Sequence, residues 1–260
     1  MIADPETPSA LDASAGRVAS RAELRRRLRT APPDFLAGAL LNPLVGSEEL
    51  LLLLRNWRAS AAVLTTVGQK ADWLRQAEVR RLLVLHPRVP LALARDLLGR
   101  LTWKDLLEVS AAPHAHPVAR RQAERLLQVR LEALSAGERV TLARRAPRGV
   151  LALLIRTDDS RVLCSVLGNP ALVEQDAVHV AGAARVGAEV LARLASHPRW
   201  GVRQSVRAAL LRNARTPIPV ALRLLAELPR RELHRLIVDA AVPTIVRVGA
   251  ERRLTAGGTP

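Results

Sequence analysis

Apolar residues recur along most of this chain at three- and four-residue spacing, and proline interrupts the rhythm at short intervals. After Pro90, the residues Leu91, Ala94, Leu97, Leu98 and Leu101 make one stripe, and Leu106, Leu107 and Val109 supply another. That period belongs to amphipathic helices. The breaks Asn42-Pro43, His86-Pro87, Ala112-Pro113, Ala146-Pro147, Asn169-Pro170 and His197-Pro198 each hold the residue before proline out of the helical region. The expectation is many short helices. Their starts are marked as well: Thr102 with Asp105 and Ser135 with Glu138 have capping-box spacing, and Ser47-Glu48-Glu49 sets two carboxylates over a helix amino end. Thr216-Pro217 offers a hydroxyl cap and a first-turn proline, and Val89-Pro90 the proline alone. From Ser20, RAELRRRLRT predicts a short helix ending before Pro32-Pro33.

The pattern occurs twice. Trp73 to Leu98 recurs 127 residues later as Trp200 to Leu225, and the offset holds without a gap from residues 24–127 to 151–254. Of those 104 paired positions 27 are identical, among them Trp73/Trp200, Leu83/Leu210, Pro90/Pro217 and Asn42/Asn169, and many others exchange one apolar residue for another. We read this as an internal duplication. A helix pair cannot bury its own stripe, so consecutive pairs must stack. The fold expected is all-α: a right-handed α-solenoid of stacked short helix pairs. Its parts are a disordered leader (1–19), a first helical half (20–127), a connecting helical segment (128–150), a second half (151–254) and a tail (255–260).

The units around LLNP, LVLHPRVP, SVLGNPAL, LASHPRW and LLRNARTP resemble bacterial HEAT-like repeats, and more closely the leucine-rich repeat variant, an armadillo-like helical family. The resemblance covers about residues 33–254 and implies a binding scaffold. Some relatives of that type carry an amino-terminal cysteine cluster for an iron-sulfur centre. Cys164, the single cysteine, cannot supply one, and no cofactor is expected.

Composition adds a charge to this picture. The net charge is +16, from 40 basic and 24 acidic residues, and all basic residues but Lys70 and Lys104 are arginine. The excess lies in the helical body, since residues 1–23 sum to −2 while 24–127 sum to +8, 128–150 to +3 and 151–254 to +7. A basic body attracts polyanions or acidic proteins. The amino terminus lacks a signal-peptide pattern, and no uncharged run approaches a membrane span, so a cytoplasmic protein with no membrane partner is expected.

Catalytic motifs are lacking: there is no G-x-S-x-G, P-loop or G-x-G-x-x-G. His114-Ala115-His116 has no third ligand at metal spacing. Cys164 and Ser165 pair with Ala37 and Gly38 across the offset, as packing residues would. A glycosylase on a HEAT-like scaffold would set an aromatic beside a carboxylate in a basic face, and Trp73 with Asp72 and Trp103 with Asp105 are the nearest approaches. Neither recurs, because Arg199 precedes Trp200 and Arg230 replaces Trp103.

What recurs is arginine. Arg29, Arg58, Arg80, Arg88, Arg120 and Arg125 each return, at Arg156, Arg185, Arg207, Arg215, Arg247 and Arg252. Such a ladder suits a phosphate backbone or an acidic helix. Trp73 and Trp200, each seven residues before an arginine of the ladder, are candidates for a stacking platform, against the alternative that tryptophan wedges between helices. The function expected is a non-enzymatic scaffold that binds a macromolecular partner through an arginine-rich surface, a protein ahead of nucleic acid. A HEAT-like DNA glycosylase or lyase is the remote alternative.

Overall fold

The computed structural model describes residues 10–256. Among them are nineteen α-helices and one 3-10 turn, with no strand. The chain divides into two compact units at Arg130/Leu131. The first holds α1 (Ala10–Val18), α2 (Arg21–Arg27), α3 (Pro33–Ala39), α4 (Ser47–Leu54), α5 (Ala61–Gln69), α6 (Ala71–Leu74), α7 (Ala77–Leu85), α8 (Leu91–Leu98), α9 (Trp103–Ala111) and α10 (Pro117–Arg130). The second opens with the 3-10 turn (Leu131–Ala133). It continues through α11 (Ala136–Ala143), α12 (Arg148–Leu154), α13 (Ser160–Val166), α14 (Glu174–Gly182), α15 (Ala188–Ala195), α16 (Gln204–Arg212), α17 (Ile218–Ala226), α18 (Arg230–Val238) and α19 (Thr244–Ala256). Adding 127 carries the bounds of α2, α3, α7 and α9 onto those of α12, α13, α16 and α18.

Two features depart from the sequence reading. Residues 10–18, assigned to a disordered leader, form α1, which packs on α3 with Ala19 buried; the first nine residues lie outside the described ones. The expected connecting segment 128–150 is not a separate piece, because α10 runs on to Arg130 and α11 and the start of α12 belong to the second unit.

Within each unit alternate helices pack on one another, so that α2, α4, α7 and α9 line up on one side while α1, α3 and α5, and then α8 and α10, line up on the other. The apolar stripes meet between them: Leu97, Leu98, Leu101, Leu106 and Val109 are all buried, as spacing predicts. Arginine-carboxylate pairs stitch the α2-α4-α7-α9 row, from Arg25 to Glu49 (2.9 Å), Arg55 to Glu78 (3.0 Å) and Arg81 to Glu108 (2.8 Å). The equivalent row in the second unit is stitched by Arg148 with Asp176, and by Arg212 with Asp239 (2.8 Å).

Helix starts follow their caps. Ser20 and Ser60 accept N–H groups from Glu23 and Val63, and the Thr102/Asp105 and Ser135/Glu138 boxes close as their spacing predicts. Thr216 does something else. Its hydroxyl turns back to donate to the Leu210 carbonyl at 2.6 Å, leaving Pro217 to begin α17 without a side-chain cap.

Helix ends are tied by buried amides. Asn42 Nδ2 donates to the Gly16 and Ala19 carbonyls (3.2 and 2.9 Å) while its Oδ1 accepts the Leu44 N–H. Asn56, Asn169 and Asn213 repeat the arrangement on Leu28/Ala31, Ala143/Ala146 and Ala181/Ala183. At the same kind of position His86 sets Nε2 3.1 Å from the Asn56 carbonyl and accepts the Arg88 N–H on Nδ1. Buried carbonyls left by helix ends need such donors.

Candidate functional site

Five of the twelve ladder arginines donate to backbone carbonyls. Arg80 Nη1 donates to the Leu74 and Arg75 carbonyls at 2.6 and 2.9 Å, and Arg207 Nε to Gly201 O at 2.7 Å with its other end on Glu227. Arg88 reaches Arg58 O (3.4 Å), Arg185 reaches Ile155 O (2.8 Å) and Arg215 reaches Arg185 O (3.3 Å), each crossing to the chain about one helix pair earlier. Arg247 is half-buried and bonds Thr244 Oγ1. Arg120 is also half-buried, whereas Arg29, Arg58, Arg125, Arg156 and Arg252 are exposed. A guanidinium that closes the end of a helix has fewer N–H groups to offer a phosphate.

The tryptophans part company. Trp200 is buried, with Nε1 donating to Leu167 O at 3.0 Å and the Arg199 guanidinium 4.2 Å from the ring centroid. It presents no face on which a base could stack, which corrects its candidacy as a platform. Trp73 is half-buried beneath the Lys70 ammonium, 4.0 Å from its ring. The seven-residue spacing does not place Trp and Arg on one helix, since Trp73 lies in α6 and Arg80 in α7, and Trp200 lies in a turn before α16.

The other candidates have local roles. His114 stacks on exposed Trp57 at 5.2 Å, and His116 Nδ1 accepts the Val118 N–H at the start of α10. Among the described residues no three His, Cys, Asp or Glu side chains could hold a metal ion together. Asp105 is taken up by the Thr102 cap and Asp72 pairs with Arg75, so neither carboxylate is set to work with its tryptophan. Burial pushes the Cys164 thiol above its ordinary value, with Glu189 adding to the effect and Arg193 opposing it.

A feature not anticipated lies between α17 and α19 in the second unit. Ile218, Leu222 and Leu225 fall at i, i+4 and i+7 on α17 and face Ile245, Val248 and Gly249 of α19 across a groove of about 1070 Å3. Four of these side chains are exposed: Ile218 and Leu222 at 48%, Ile245 at 51% and Val248 at 38%, so the groove is an open apolar surface rather than a core. Arg230, Arg252 and Arg253 also line it. Gly249 lets α19 approach α17 closely, because a Cβ there would stand 3.0 Å from Leu225 Cδ1 and 3.2 Å from Leu222 Cδ2. The first unit has Arg95, Arg121 and Gln122 where the groove has Leu222, Val248 and Gly249. That exchange was a signal present in the sequence. Of the residues singled out there, Arg252 lines the groove.

No helix among the described residues is long and apolar enough to cross a membrane. No family model, curated protein or solved structure matches this chain.

Proposed function

We propose that this protein is a non-enzymatic helical-repeat scaffold, an internally duplicated α-solenoid, whose second unit binds an acidic amphipathic helix of a protein partner in the α17–α19 groove. The observation that carries this reading is the open apolar groove with three arginines in its lining. An amphipathic helix offers apolar anchors at i, i+3/i+4 and i+7, which fit a trough of this kind. Acidic residues flanking those anchors complement the exposed Arg230, Arg252 and Arg253, the last of which also donates to the Ala226 carbonyl, and set orientation and on-rate. Contiguous exposed apolar surface rimmed by charge is characteristic of protein interaction sites. A nucleic acid would instead use guanidinium groups beside exposed aromatic faces, whereas Arg80, Arg185 and Arg207 are bonded to backbone carbonyls and Trp200 is buried.

The test is fluorescence anisotropy with a labelled helical peptide carrying leucines at those spacings and glutamates elsewhere. A lysine version of the peptide, duplex DNA and single-stranded RNA are compared at several salt concentrations. Saturable binding of the acidic peptide, lost in Leu222→Arg and Val248→Arg, is expected; those two substitutions install the first unit's residues on an exposed surface. Binding of DNA or RNA that falls steeply with salt, with the acidic peptide inert, would replace this reading by the nucleic-acid one.

A further inference from the structure

A second cleft in the same unit arises from a difference in helix packing, and it stands independently of the groove. In the first unit α1 and α3 meet backbone to backbone: a Cβ on Gly38 would lie 1.9 Å from the Ala13 carbonyl oxygen, and one on Gly16 2.2 Å from Phe35 O. Glycine is what permits that approach. At the matching places the second unit has Ser165 for Gly38, Ala143 for Gly16 and Val140 for Ala13, so α11 and α13 carry more bulk there than α1 and α3. Beside them is a cleft of about 690 Å3. Arg144, just past the end of α11, and Arg193 of α15 flank α13, which contributes Arg161, Cys164 and Ser165. Its glycines leave room, since a Cβ on Gly137 would meet nothing within 4 Å.

The electrostatics are one-sided. Three guanidinium groups line the cleft against one carboxylate, Glu189. Arg161 leans on Asp159 at 3.5 Å, while Arg144 and Arg193 are exposed. The first unit has Arg17, Asp34 and Thr66 where these three arginines stand, so the cluster is a property of this cleft and not of the repeated ladder.

We propose that the α11–α13–α15 cleft binds a phosphate monoester, held between Arg144 and Arg193, with the Ser165 hydroxyl beside it and Val140 and Cys164 facing its organic part. Guanidinium groups match phosphate oxygens in bidentate fashion. A cleft two positive charges in excess suits a group carrying about −1.5 to −2 at neutral pH better than a single carboxylate.

Cys164, the single thiol, lines the cleft and reports on it. The rate of its alkylation by iodoacetamide is measured with phenyl phosphate, inorganic phosphate and a phosphoserine peptide, each against potassium chloride at matched ionic strength. Saturable protection by phenyl phosphate is expected, weakened about tenfold in Arg144→Gln and in Arg193→Gln, as loss of one charge-assisted contact requires. Protection by the peptide at lower concentration than phenyl phosphate assigns the phosphate to a protein side chain, and the reverse assigns it to a free ester. Where the thiol reacts too slowly, 31P line broadening of phenyl phosphate by the same three proteins gives the answer. No saturable effect up to about 10 mM, well beyond a millimolar dissociation constant, or an effect shared by chloride or unchanged in both variants, overturns the proposal.

Discussion

Lys70 and Trp200 satisfy the same backbone position in the two units. Lys70 Nζ donates to Leu40 O at 3.2 Å, and Trp200 Nε1 donates to Leu167 O, 127 residues on, at 3.0 Å. Where the ammonium occupies the carbonyl, Trp73 stays half-exposed against it; where His197 replaces the lysine and spends Nδ1 on the Arg199 N–H, the indole turns in and is buried. One carbonyl needs one donor. Lys70→His is therefore expected to draw Trp73 inward onto Leu40 O. In 5-fluorotryptophan-labelled protein, the 19F resonance of Trp73 should lose its solvent isotope shift and behave like that of Trp200. An unchanged Trp73 signal would show that the lysine does not hold the ring out.

The contrast shows what the sequence could and could not carry. Short helices, their caps and their proline breaks were legible because each depends on residues within one turn of one another, as at Thr102/Asp105 and Asn42-Pro43. Asn56 and Asn213 do the same work as Asn42 with no proline to mark them. Helix α1 docks on α3 through backbone contact at Gly16 and Gly38, which leaves no apolar stripe to read. The arginine ladder was legible as a repeat but not as a role, since a guanidinium aimed at a carbonyl and one aimed at solvent are written alike. The groove was concealed by its likeness to a core: Ile218, Leu222 and Leu225 have the spacing of a buried face.

His86 makes stability depend on pH. Burial lowers its pKa below the ordinary 6.5, the Asn56 carbonyl opposes that, and the charges of Arg88 and His114 lower it further. Above 6.5 the ring is neutral in both folded and unfolded chains and contributes no slope. As pH falls from 6.5 toward the lowered folded value, the unfolded chain binds a proton that the folded one refuses, so stability declines. His86→Asn, which installs the amide that Asn213 provides at the matching rung, keeps both hydrogen bonds and removes the titration. The variant's melting temperature should fall less than the wild type's between about pH 6.5 and 5. His197, lowered by its own burial and by Arg199 and Arg193, retains part of the slope. Parallel curves for the two proteins would sink the assignment.

Glu49 and Asp176 occupy the same point 127 residues apart, each accepting the N–H of the residue before its helix, Gly46 and Val173, at 3.1 Å while pairing with an arginine. Burial alone would raise both pKa values. The Arg25 and Arg148 hydrogen bonds and the backbone N–H groups outweigh it and hold Glu49 below 4.5 and Asp176 below 3.8. Their stabilisation is full above those ordinary values and is lost as pH falls through the lowered ones. Glu49→Gln and Asp176→Asn are expected to cost about 1 kcal/mol each at neutral pH, a modest figure because both arginines are half in solvent. The deficit should vanish under acid, when the wild-type carboxylates are themselves protonated. Urea titrations at pH 7 and pH 3 measure both limbs, and a deficit that persists at low pH would assign the loss to packing instead.

Gly38 and Ser165 should not be interchangeable. A side chain at Gly38 must displace the Ala13 backbone, which no rotamer of the newcomer can avoid. Gly38→Ser is therefore expected to push α1 from α3 and expose the segment that ends at the buried Ala19. Limited proteolysis should then cut within residues 10–20 at a dilution of protease that leaves wild type intact. The reciprocal Ser165→Gly removes a hydroxyl from an open cleft wall, so its cost is the propensity of glycine in a helix, about 1 kcal/mol or less. The asymmetry is the point of the pair. If both substitutions cost alike in urea denaturation, the glycine contact is not what sets α1 against α3, and the different packing of α11 and α13 must come from other residues along those helices.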